Sequence, residues 1–236
     1  FEKKFIKNAA ITHAIGVAEV TAIKKIHASQ KIVRIPNGYS PGHTKDGNYN
    51  GSELIFGYCG RLNIKQKGLD LFLEAFKLYK KNGGLGKVVI IGNGKDRIKL
   101  EKIAVSLGIE NFIYFKGALF GDEKISQLKK FTFFVHTSRW DGIPTGVLEA
   151  AGLGIPLFIT QETNLMGYVQ KYGAGICIQK ACVGDILTSL DDAATLFKER
   201  KLFDVSNAAM KMVNDELNWS QIAKRYLNNM YLKIEI

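Results

Sequence analysis

Leu54-Ile55-Phe56-Gly57-Tyr58, the helical stretch from Gly68 to Lys81, and Lys87-Val88-Val89-Ile90-Ile91 together decide the fold of this chain. The two flanking runs are apolar at nearly every position, which is what strands covered on both faces require. Between them Leu69, Phe72, Leu73 and Phe76 recur at three and four residues and form one apolar helical stripe. A strand–helix–strand unit of this kind closes by a right-handed crossover and gives parallel strands. The pattern then repeats. Asn111 to Phe115, Phe131 to His136, Ile155 to Ile159 and Ala174 to Ile178 read as further buried strands. Ile98 to Leu107, Asp122 to Lys130, Thr145 to Leu153 and Glu162 to Lys171 fill the gaps as helices. The expected fold is α/β, a doubly wound parallel sheet.

Both ends depart from this rhythm. Residues 1–36 hold a helix-like start, a short strand at Ala10-Ile11-Thr12, a helix near Val17 to His27, and a strand at Lys31 to Ile35. A chain starting at Phe1 inside a basic helical stretch reads as a piece of something longer. Pro36-Asn37-Gly38-Tyr39-Ser40-Pro41-Gly42-His43 and the residues to Gly51 are rich in turn formers and read as an interdomain linker. Three helices are expected at the other end, Val183 to Glu199, Leu202 to Leu217 and Trp219 to Leu232.

Of the 236 residues, 46% are hydrophobic and 23% charged, which excludes wholesale disorder. A formal charge of +11 points to anionic partners. Residues 1–52 carry eight Lys/Arg against three Asp/Glu, and the excess continues along the chain rather than forming an arm for nucleic acid. Cys59, Cys177 and Cys182 form no CxxC pair and no metal spacing with the four histidines, so packed, reduced thiols are expected. No apolar run is long enough to span a bilayer.

In an open parallel sheet, ligands bind beyond the carboxyl ends of the strands. Gly60-Arg61-Leu62-Asn63-Ile64-Lys65-Gln66-Lys67-Gly68 follows the first strand. Its glycine and its cations ahead of a helix suit a diphosphate, or equally make a solvated basic loop. Gly92-Asn93-Gly94 is a tight turn, and no GxGxxG follows to mark a dinucleotide-dependent oxidoreductase. The fourth strand runs into His136-Thr137-Ser138-Arg139-Trp140-Asp141-Gly142-Ile143-Pro144-Thr145-Gly146-Val147-Leu148-Glu149. Pro144 suits a first helical turn, while Gly142 and Gly146 open backbone amides to a ligand. Asp141 and Glu149 are acceptors fit for sugar and ribose hydroxyls, and Glu149 stands among apolar neighbours, where an acid needs a specific partner. His13 and His136 read as structural histidines, and Asp191-Asp192 as a solvated face. No Ser–His–Asp set, zinc spacing or phosphate-binding Walker loop is present.

These pieces together resemble the retaining, nucleotide-sugar-dependent glycosyltransferases of family 4, whose GT-B fold sets two Rossmann-like domains across a cleft. The likeness rests on Pro36-Asn37-Gly38, Gly60-Arg61-Leu62 with Lys67-Gly68, Ile91-Gly92-Asn93-Gly94, Phe115-Lys116-Gly117, and Ser138 through Glu149 into Ala150, Gly154 and Pro156. Trp219-Ser220 and Tyr226 resemble the family's closing helix. The resemblance implies the tail of an acceptor domain over 1–36, a linker over 37–52, a donor-binding domain over 53–217 and a closing helix over 218–236. It implies that Arg61 and Lys67 neutralise the donor diphosphate, that Glu149 accepts from the ribose, and that Asp141 contacts the donor sugar in place of the usual glutamate of an E-x7-E pair. Gly60, Gly92 and the backbone at Gly142, Ile143, Pro144, Thr145 and Gly146 would border the nucleotide sugar, and the loop at Gly117 the base. It further implies hexosyl transfer from a UDP, GDP or ADP sugar without a metal or other cofactor, to a glycan or lipid-linked acceptor. The setting would be bacterial polysaccharide or lipopolysaccharide assembly, in the cytoplasm or peripherally at an anionic membrane, with no nucleic acid involved. This chain would supply the donor-binding half and be inactive alone; a noncatalytic nucleotide-sugar-binding domain of the same fold is the alternative.

Overall fold

The structure is a computed structural model that describes residues 2–40 and 52–232. Helix α1 (Glu2–Asn8), strand β1 (Thr12–Ala14), helix α2 (Val17–Ile26) and strand β2 (Ile32–Arg34) come first. β1 and β2 pair in parallel, Thr12 opposite Ile32. The first strand thus lies two residues later than the sequence suggests, because the bond from Thr12 N–H to Lys31 O sets the register while Ile11 is buried.

The main body alternates β3 (Ile55–Cys59), α3 (Ile64–Lys67), α4 (Leu69–Lys81), β4 (Lys87–Ile91), α5 (Arg97–Ser106), β5 (Ile113–Gly117), α6 (Gly121–Leu128), β6 (Phe133–His136), α7 (Thr145–Gly152), β7 (Leu157–Thr160), α8 (Met166–Tyr172) and β8 (Gly175–Ile178). Helices α9 (Val183–Lys198), α10 (Leu202–Met212) and α11 (Trp219–Tyr226) close the chain. The six strands β3 to β8 are all parallel, in the order β5-β4-β3-β6-β7-β8. This is a doubly wound, Rossmann-like sheet. Its winding reverses between β3 and β6, where the loops of two neighbouring strands splay apart and leave a crevice.

The strands are largely apolar because alternate residues serve two cores, except in the edge strand β5, where Tyr114 and Lys116 are exposed. Phe56, Tyr58, Val88, Ile90, Phe133 and Phe158 pack with α4, α5 and α9. Ile55, Val89, Ile91, Phe134, Leu157 and Ile159 pack with α6, α7, α8 and α10. The Phe131 ring lies on Gly57, where a Cβ would come within 2.0 Å of its Cδ2. That explains a glycine at the centre of a buried strand.

Three of the expected helices are not continuous α-helices. Gln161–Thr163 forms a short 3-10 turn, and Asn164 then takes a left-handed φ of 58°, so α8 begins only at Met166. α10 ends at Met212 and widens into a π-type turn over Val213–Leu217; α11 widens likewise over Leu227–Tyr231. The chain after Pro36 runs along this last segment. Tyr39 N–H donates to Leu217 O at 2.8 Å, and Trp219 covers Gly38. Tyr226 Oη meets His13 Nε2 at 3.0 Å, tying the end of the chain to β1. Most of the expected linker, residues 41–51, lies outside the described residues. No helix among the described residues is long and apolar enough to cross a membrane.

Candidate functional site

The carboxyl ends of β3 and β6 bring the two richest motifs face to face. After β3 the chain leaves at Gly60, and α3 is capped by the Asn63 side chain, which accepts from Gln66 N–H. Gly68 takes φ +64° to end α3 and start α4; a Cβ there would sit 2.1 Å from Thr137 O. The loop after β6 is stitched to this segment. Arg139 N–H donates to Gln66 O, and the Arg139 guanidinium forks onto Asp70 at 2.7 and 2.8 Å while reaching Ile64 O at 2.9 Å. A planar fork of donors is what that geometry needs.

This stitching places Lys67 beside Asp141. Lys67 Nζ lies 2.5 Å from Asp141 Oδ2, with the side chains only 11% and 13% exposed. The same oxygen accepts from His136 Nε2 at 2.9 Å and Ser138 Oγ at 3.3 Å, and Oδ1 accepts from Gly142 N–H at 3.1 Å. Burial pushes the Asp141 carboxyl up, but the hydrogen bonds from His136 and Lys67 and the charge of Lys67 outweigh it and hold the group well below the usual carboxylate range. Burial lowers His136 more than its bond to Asp141 raises it, so the imidazole is neutral. A carboxylate can only accept, so Nε2 carries the proton and Nδ1 is left buried with no partner among the described residues. His136 stacks at 5.9 Å on Tyr58, whose hydroxyl donates to Arg61 O and so braces the other loop.

Arg61 itself is exposed and donates to Gln66 Oε1 at 3.4 Å. Gly92, at φ +136°, presses against Gly60 O, which a Cβ would approach to 1.9 Å, so the two glycines hold one turn on another. Gly142 faces open space. Ile143 is buried, and Pro144 N-caps α7, whose first turn leaves the Thr145 and Gly146 amides without intrahelical partners. Gly146 packs over Cys59 O. Glu149, on the second turn of α7, forms an ion pair with Lys124 of α6 at 2.6 Å.

Asp141, Lys67, Gly142 and the start of α7 thus gather at the crevice, and Glu149 lies one helical turn further along. Gly117 ends β5 next to the Gly92 turn. Its carbonyl is used by Gly92 N–H, and its α-carbon faces Arg97. Sequence reasoning passed over His136, which it read as structural; its position as the last residue of a strand at the carboxyl edge was the available signal. It also missed Lys124 and Asn164. The Asn164 amide donates to Asp141 O and Gly142 O and accepts from Val17 N–H, so it clamps the Asp141 loop to the start of α2. Neither residue carries a motif. Among the described residues no three His, Cys, Asp or Glu side chains gather into a metal-holding group.

A doubly wound sheet with hydrogen-bonding groups gathered at its switch point is an α/β fold with a ligand crevice at the carboxyl ends of its strands. Over residues 43–204 the chain matches the family described as Glycosyl transferases group 1, and it belongs to that family. It is 28% identical over 193 residues to the uncharacterized glycosyltransferase MJ1059 of Methanocaldococcus jannaschii, covering 75% of this chain and 45% of that protein. It is 23% identical over 181 residues to the capsular polysaccharide biosynthesis glycosyltransferase CapM of Staphylococcus aureus, covering 75% and 46%. The chain therefore spans about half the length of these relatives. Its fold is shared with a solved structure of S. aureus TarM in complex with fondaparinux, alpha-GlcNAc-glycerol and UDP, at a TM-score of 0.82 and 19% identity, over 96% of this chain and 45% of that one.

Proposed function

We propose that this chain is the donor-binding half of a retaining, metal-independent glycosyltransferase of family 4 that moves a hexosyl group from a nucleoside-diphosphate sugar to a glycan or lipid-linked acceptor. The observation that carries the reading is the convergence of Lys67, Asp141 and the first turn of α7 at the switch point, with Glu149 a turn beyond. Glycosyl transfer builds positive charge on the sugar and negative charge on the departing phosphate, so the principal task is to stabilise the leaving group. Lys67 and Arg61 supply the cations, and the Thr145 and Gly146 amides supply dipoles. A diphosphate carries more charge than Asp141 and draws Lys67 away from it. Asp141 then stays in place on His136, Ser138 and the Gly142 amide, and offers its carboxylate to the donor sugar. Glu149 accepts from the ribose hydroxyls.

The reading extends to the whole protein. The preceding half would bind the acceptor, and the exposed Lys3, Lys4, Lys7, Lys24 and Lys25 suit an anionic membrane face on the cytoplasmic side. UDP is named in the TarM complex, which makes UDP the first donor nucleotide to try, ahead of GDP and ADP.

Calorimetric titration with UDP, GDP and ADP, with and without Mg²⁺, tests the reading. One of them is expected to bind saturably and independently of metal. Lys67→Ala is expected to weaken that diphosphate more than its free nucleoside. Equal losses for both ligands would remove Lys67 from the diphosphate site.

A further inference from the structure

The Glu149–Lys124 pair borders a cavity of about 300 Å³, whose other walls include Tyr39, Gly121 and Ile125. That volume is at the small end of the range for small-molecule pockets, about 300–1,000 Å³, so it suits a nucleoside rather than a whole nucleotide sugar. Tyr39 comes from the segment that leads into the linker, and its phenol is pushed up by burial and then by the nearby Glu149 charge. Gly117, the residue that sequence comparison would put against the base, is not among the residues lining this cavity.

Lys124 stands at the same wall. Its ammonium is 2.6 Å from Glu149 Oε1, with side chains 26% and 17% exposed. The pair is largely buried, so Lys124 is the specific partner that the Glu149 carboxylate needs among its apolar neighbours. Its effect is geometric and electrostatic. It takes one carboxylate oxygen of Glu149 and holds the group in one orientation, which leaves the other oxygen for hydroxyl donors.

We propose that Lys124 is a positioning residue for the nucleoside: it aims Glu149 at the two ribose hydroxyls, in a pocket whose outer wall is Tyr39. The inference rests on the reading of Glu149 as the ribose acceptor. It makes the pocket selective for ribonucleotides, since a hydroxyl bonded to an ionised carboxylate contributes more than one bonded to a neutral group.

The test is calorimetric titration of the 236-residue chain and of its K124M, K124R and E149Q variants with UDP, GDP and ADP and with their 2′-deoxy counterparts. The unaltered chain is expected to prefer the ribose form by about tenfold, the worth of one charge-assisted hydrogen bond. E149Q is expected to remove most of that preference. K124M is expected to reduce it to about threefold or less, by weakening the ribose form more than the 2′-deoxy form, which keeps one hydroxyl, and K124R to restore it. If K124M keeps the full preference while E149Q loses it, the role of Lys124 is overturned and that of Glu149 stands. Equal weakening of ribose and deoxy forms by K124M overturns it too. If E149Q keeps the full preference, or if no diphosphate binds the unaltered chain, the reading of Glu149 falls and this inference with it.

Discussion

Replacing Lys67 by methionine keeps the volume of the side chain's stem and removes only its charge. It leaves the Asp141 carboxylate, 13% exposed, without the cation 2.5 Å away. Breaking a buried ion pair by removing one partner costs about 3–5 kcal/mol, because the other charge is left uncompensated. Here Oδ2 still accepts from His136 at 2.9 Å and Ser138 at 3.3 Å, and Oδ1 from the Gly142 amide. These donors lower the expected cost to about 2–3 kcal/mol, a drop in melting temperature of roughly 4–12 °C for a chain of this length. Asp141→Asn removes the other charge, and the double variant removes both. The double variant is expected to cost less than the two single ones together, by about 1.5–3 kcal/mol. Urea denaturation at pH 7 measures all four proteins. The sign with pH follows from the depressed Asp141 value: its contribution is present above the unfolded carboxylate range and is lost progressively as pH falls below that range and through the depressed folded value. The gap between the unaltered chain and Lys67→Met must therefore narrow as pH drops below about 4. Single costs that add to within about 0.5 kcal/mol, or a gap that widens in acid, would refute the coupling of the two groups.

Three further outcomes are expected. Cys59 and Cys177 are pushed up to about 11 by burial, so iodoacetamide at pH 8 should label both far more slowly in the folded chain than in urea, and faster as pH rises; mass spectrometry of the labelled peptides decides it. Gly92→Ala meets Gly60 O at 1.9 Å at φ +136° and should cost about 3 kcal/mol or more by denaturant titration, whereas Gly83→Ala, at φ +82° with open space around it, should cost only about 1 kcal/mol. Arg139→Lys loses the fork onto Asp70 and should cost about 1–2 kcal/mol in the same measurement, while Arg139→Lys with no loss would mean that the fork holds nothing in place.

How much of this was legible before the structure depended on the range of the interaction. Most of the strands β3 to β8 could be read because they alternate between two apolar cores, and that leaves a local mark, a run of large apolar residues. The crevice could be placed because it follows from where such strands end. The slip of β1 could not be read, since its register depends on a bond to Lys31 and not on its own three residues. Nor could the late start of α8, although Asn164, a residue that tolerates the left-handed region, carried a weak signal. The same limit applies at the site. Lys67 and Asp141 were each identifiable as groups suited to an anion and a sugar, but they are 74 residues apart, and their pairing exists only because Arg139 and Gly68 dock one loop on the other. Lys124 went unassigned, and His136 was read only as a structural histidine, for the corresponding reason. Neither stands out by residue type in its own segment, and each acquires its part only from the carboxylate that the sheet brings to it. The two acids are thus matched by the fold in the same way, each held by a cation from another element. On the proposed reading the two pairs then part ways: a bound diphosphate would have to open Lys67–Asp141, whereas a bound ribose would use Lys124–Glu149 as it stands.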